Sequence, residues 1–214
     1  MPYPLSADPE TYQVAITLVV VAVLLALGNR RLLVVPLMLQ YVLVSALLSA
    51  DISQPIFVIR VTLGAAISTI LYITGNHMER TLAGKGVAAG EGPPARPLPP
   101  SMGGFFRLLA LAWAMLMAFG LWNAYPLTNL PALLTLTAFV LLTLGVTLAL
   151  VSPDPLHIGV GCLMLLTGFE AVYLSLEASL LVVALLGLLD ILIALAISYN
   201  CEQWLDAIAE EALP

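Results

Sequence analysis

The chain has 214 residues, of which 61% are hydrophobic and 9% charged, with a formal net charge of −6 and a mean hydropathy of +1.05. A soluble domain carries about 25% charged residues, so this composition excludes an ordinary soluble fold and describes an all-α polytopic membrane protein lying in a lipid bilayer. The acidic balance gives no reason to expect nucleic acid as a partner.

In chain order, residues 1–10 are acidic and lack a positive region, so they do not read as a cleavable signal peptide. About 20 apolar residues span a bilayer, and seven such stretches are expected: 12–29, 32–50, 55–76, 105–123, 131–151, 156–176 and 179–199. Pro55, Pro131 and Pro155 stand at helix starts, where the missing N–H is not needed. Pro36 falls near the first turn of its helix and need not kink it. The turn at 177–179 needs a cap from Glu177 or Ser179. Residues 81–104 are rich in glycine and proline without any period and read as a flexible exposed linker.

This gives five parts: a three-helix unit over 1–80, the linker over 81–104, a connecting helix and outer loop over 105–130, a second three-helix unit over 131–200, and an acidic tail over 201–214. Spans one to three and five to seven share a faint apolar order, as in Leu37-Met-Leu and Leu163-Met-Leu, which would make a parallel repeat if it reflects duplication. The basic residues Arg30, Arg31, Arg80, Lys85, Arg96 and Arg107 cluster in or beside two loops on one side, which the positive-inside rule assigns to the cytoplasm. The N-terminus is then outside and the C-terminus inside an inner (cytoplasmic) membrane. In the tail, Trp204, Leu205 and Ile208 form a weak apolar stripe. It fits an interfacial helix end, or a docking contact with a partner subunit.

Two carboxylates, Glu170 and Asp190, fall well inside apolar runs. An ionisable group at that depth costs a few kcal/mol on insertion scales and marks an ion or proton pathway by default. The plainer reading is an acid that only orients packing. Thr167 and Glu170 share a face of the sixth span, and Gly187, Asp190 and Ala194 a face of the seventh. Gly187 leaves room one turn before Asp190 for water or a partner side chain. The tight turn between these helices would bring both acids to comparable depth. Arg60, in the third span, either snorkels to the outer surface, the favoured reading, or pairs with Glu177, Asp51 or a partner's acid. Gln40 is a polar way-station or an interhelical hydrogen bond. His77 and His157 read as ordinary interfacial histidines that could also shuttle protons, Glu177 as a surface acid, and Cys162 and Cys201 as structural. No pattern for a metal, cofactor or redox centre is visible, and nothing resembles a soluble active site.

The stretch 139–150 through Leu163-Met-Leu-Leu-Thr-Gly-Phe-Glu170-Ala-Val-Tyr, followed by the helix bearing Asp190, resembles the K subunit of respiratory complex I. Gly168-Phe-Glu170 matches that subunit's Gly-apolar-Glu element, and Asp190 stands where the family has a second acid, there Glu. The turn between these helices is shorter here. In length and layout the chain is similar to component E of hydrogenase-4 and formate hydrogenlyase complexes. The resemblance implies a non-catalytic, proton-conducting subunit of a complex I-like or hydrogenase-like oxidoreductase. Its partners would be antiporter-like and other membrane subunits, and its relay residues Glu170 and Asp190, with Arg60 and Gln40 as lesser candidates. The alternatives are a small-solute transporter built from parallel triple-helix repeats and a structural membrane scaffold.

Overall fold

The computed structural model describes residues 34–48, 54–84, 104–125, 127, 130–152, 154–177 and 179–211, with residues 13, 16, 17, 19 and 20. Nearly all of these residues are helical, with no strand among them. The helices are α1 (Val34–Leu48), α2 (Gln54–Gly84), α3 (Gly104–Ala124), α4 (Ala132–Val151), α5 (Pro155–Leu176) and α6 (Leu180–Glu211).

Five of the described helices are long and apolar enough to cross a bilayer, which fits a multi-pass membrane protein. The described residues do not show all of the expected seven. The stretch 12–29 lies outside the described residues apart from five positions. The stretch 32–50 yields only the 15 residues of α1, about 22 Å at 1.5 Å per residue, less than a hydrocarbon core of about 30 Å.

Two helices run past their expected ends. α2 continues through residues 77–84, taking in the first part of the expected linker, while residues 85–103 lie outside the described residues. No helix breaker interrupts His77-Met-Glu-Arg-Thr-Leu, and burial of Met78 and Leu82 rewards the added turns. α6 continues through the expected tail to Glu211 because Cys201 and Leu205 keep burying at helical spacing. Both helices, at about 46 and 48 Å, exceed the bilayer core.

The helix starts follow local chemistry. Asp154 caps α5, accepting from the Leu156 N–H at 3.2 Å, with Pro155 in the first turn. Ser179 caps α6, its Oγ accepting from the Val182 N–H at 3.2 Å, so the tight turn carries the cap it required. Ser179→Ala is expected to cost about 0.5–1 kcal/mol, read as a lower unfolding midpoint in detergent.

The order of packing is α3 on α4, α4 on α5, α5 on α6, α6 on α2 and α2 on α1, with α1 also touching α5. Four helices, α1, α2, α6 and α5, therefore close a ring. α2 and α6 run parallel, with Leu63 against Gly187 and Thr74 against Ser198. Outward faces carry large apolar side chains such as Leu181, Leu185, Leu188 and Leu192 on α6 and Trp113 and Leu116 on α3. Such a surface is a liability in water and ordinary in lipid.

Candidate functional site

Buried polar side chains concentrate inside the ring. On α5, Gly161 and Gly168 let the helix lie against α4: a Cβ at Gly168 would stand 3.0 Å from the Ala138 carbonyl oxygen. The opposite face then carries Thr167 and Glu170 inward, and Glu170 is 3% exposed. On α6, Gly187 receives the end of the Leu63 side chain from α2. The room before the acid is thus filled by a partner side chain, and Asp190, one turn later, is 2% exposed.

Arg60 reaches Glu170 across the ring, Nη2 to Oε2 at 3.0 Å, with both side chains almost fully buried. It does not snorkel, and at 4% exposure its head is not in water. Glu177 is exposed at the end of α5 and is not its partner, and Asp51 lies outside the described residues. Depth explains the match. Arg60 sits about 9 Å from the start of α2, and Glu170 about 9 Å from the end of α5 at 1.5 Å per residue. Nε and Nη2 of Arg60 have no aligned hydrogen-bond acceptor, so charge and burial hold this contact rather than hydrogen-bond geometry.

Asp190 has a different partner. The Tyr41 hydroxyl donates to Oδ2 at 3.1 Å, while Oδ1 is buried without a partner. Tyr41 is set in place by Gly64 of α2, where a Cβ would stand 2.5 Å from the tyrosine Cβ. Sequence reasoning missed Tyr41. The available signal was a phenol beside Gln40 in an apolar run, since a buried tyrosine hydroxyl needs a partner. Tyr41, Arg60, Glu170 and Asp190 together line a cavity of about 10 Å³, close to the room one water needs.

The other expected residues divide. Gln40 is 0% exposed, and both of its amide atoms lack partners; it does not line this cavity. His77 is exposed at the far end of α2. His157, in the first turn of α5, is buried, its Nδ1 3.0 Å from Oδ2 of the capping Asp154. Neither cysteine is in a disulfide; Cys162 is exposed and Cys201 buried.

In chemical terms, four helices bring two carboxyls, one guanidinium and one phenol around a water-sized space away from bulk solvent. Two acids face one fixed cation, so the cluster is neutral when it holds a single proton between them, and charge at low dielectric is costly enough to favour that state. No protein-family model, curated protein or solved structure matches the chain.

Proposed function

We propose that this chain is a membrane subunit of a complex I-like or hydrogenase-like oxidoreductase, and that it takes part in proton translocation through intramembrane carboxylates. Glu170 and Asp190 exchange the proton, Arg60 compensates the charge, and Gln40 serves as a further polar step. Redox chemistry belongs to other subunits, and this chain contributes no cofactor. The seven spans expected from the sequence, with 131–200 as the unit resembling the K subunit, belong to this reading. So do an outside N-terminus, a cytoplasmic C-terminus in an inner membrane, and antiporter-like subunits as partners.

The observation that carries the reading is the shared cavity of Arg60, Glu170, Asp190 and Tyr41 inside the bundle. Its size of about 10 Å³ suits a proton and a water rather than a solute, which weighs against the transporter alternative. A mere scaffold would have no use for two acids at this cost. Glu170→Gln keeps the side chain's size and removes its titration. In the assembled complex it is expected to slow proton translocation by about 10²-fold or more, the usual scale for losing a positioned proton-transfer group. Translocation at the parent rate in that variant overturns the relay.

A further inference from the structure

Every described serine and threonine within a helix donates its hydroxyl to the backbone carbonyl one turn back, with one exception. Ser68 of α2, 2% exposed, leaves its Oγ without any partner. The back-bond is the default for a helical hydroxyl in an apolar setting, so its absence at a buried position calls for another acceptor or donor. The remaining buried side-chain atoms without partners, among the described residues, belong to Gln40, Arg60 and Asp190. All of them lie on α1, α2 and α6.

They flank one another in the fold. Gln40 precedes Tyr41, the donor to Asp190, and Ser68 lies one turn beyond Gly64, against which Tyr41 packs. Further along the parallel seam of α2 and α6, Thr74 and Ser198 join their hydroxyls at 2.8 Å. Asp190 stands about 15 Å from the start of α6 and Ser198 about 27 Å, near the far edge of a 30 Å hydrocarbon core. Between them the buried face of α6 carries Ala194 and Ile197, the latter packed on Gly159 of α5, while α2 borders the stretch with Ile67 and Leu71. Buried polar atoms without protein partners are most economically satisfied by ordered water.

We propose that Gln40, Ser68 and the Thr74–Ser198 pair line a single-file hydrated path. It supplies protons to Asp190 from the end of the bundle where α2 and α6 both finish. The inference rests on the relay reading for its purpose. The hydration itself does not depend on turnover.

The test uses the full chain in its own membrane with Cys162→Ser and Cys201→Ala as background. Ser68→Cys, Ser198→Cys and, as a dry control, Leu141→Cys are each exposed to a small cationic methanethiosulfonate. A thiolate attacks the reagent's sulfur and displaces methanesulfinate to form a mixed disulfide, and the thiolate forms only where water reaches it. The thiols at 68 and 198 are expected to react at least about tenfold faster than the one at 141, with 198 the faster of the two. Each serine change replaces one atom, so folding is preserved. Reaction at 68 no faster than at 141 overturns the path, whatever Glu170→Gln does. Rapid reaction at 68 together with unimpaired translocation in Glu170→Gln upholds the path and sinks only the relay.

Discussion

Arg60→Met is expected to destabilise the folded chain by about 3–5 kcal/mol, the cost of removing one partner from a buried ion pair. The methionine nearly matches the volume of the lost side chain, so packing loss is small and the charge effect dominates. Glu170 would be left nearly fully buried with its countercharge gone. Water cannot replace the guanidinium, because the cavity holds room for about one molecule. Adding Glu170→Gln to Arg60→Met is expected to return most of the lost stability, since the double variant contains neither buried charge. Unfolding midpoints in detergent for the parent, both single variants and the double variant give the coupling directly. A single variant as stable as the parent, or a double variant no better than Arg60→Met, would show that the 3.0 Å contact contributes nothing.

The two acids were legible in the sequence because their chemistry contradicts their surroundings. Glu170 and Asp190 interrupt apolar runs, where an ionisable group is costly. The partners of those acids were less legible. Arg60 lies about 9 Å into its helix, a depth at which a long side chain can turn outward or inward. The sequence alone leaned toward the wrong direction, and α5 decides the matter by presenting Glu170 at the same depth. Tyr41 was hidden for a related reason. A phenol in an apolar helix fits a core position as well as a polar one, and its role follows from which helix faces it. Gly64 and Gly187 bring α1, α2 and α6 together, and these contacts link residues far apart in the chain. The helix ends beyond 76 and 199 were misjudged because apolar content defines where lipid ends, not where a helix ends. Without a breaker, and with Met78, Leu82, Cys201 and Leu205 to bury, both helices simply continue.

Gly161→Ala and Gly120→Ala make the same chemical change and are expected to move stability in opposite directions. A Cβ at Gly161 would stand 2.7 Å from both the Ala149 nitrogen and the Gly145 carbonyl oxygen. These are backbone atoms of α4 and cannot rotate aside. The helices must separate, which forfeits contacts along the whole pair. Lipid tails are as apolar as the side chains, so packing rather than water exclusion holds membrane helices together. A cost of about 1–3 kcal/mol is expected. At Gly120 nothing lies within 4 Å of the added methyl, and replacing a mid-helix glycine by alanine favours the helix by up to about 1 kcal/mol. Separation of α4 and α5 also shifts the helix that bears Glu170, so Gly161→Ala is expected to weaken the contact with Arg60 as well. Thermal unfolding in detergent measures the first effect. The second appears as a smaller Arg60–Glu170 coupling energy when the double-variant cycle is repeated in the Gly161→Ala background. Equal midpoints for the two glycine variants would mean that close approach of α4 and α5 does not govern the bundle.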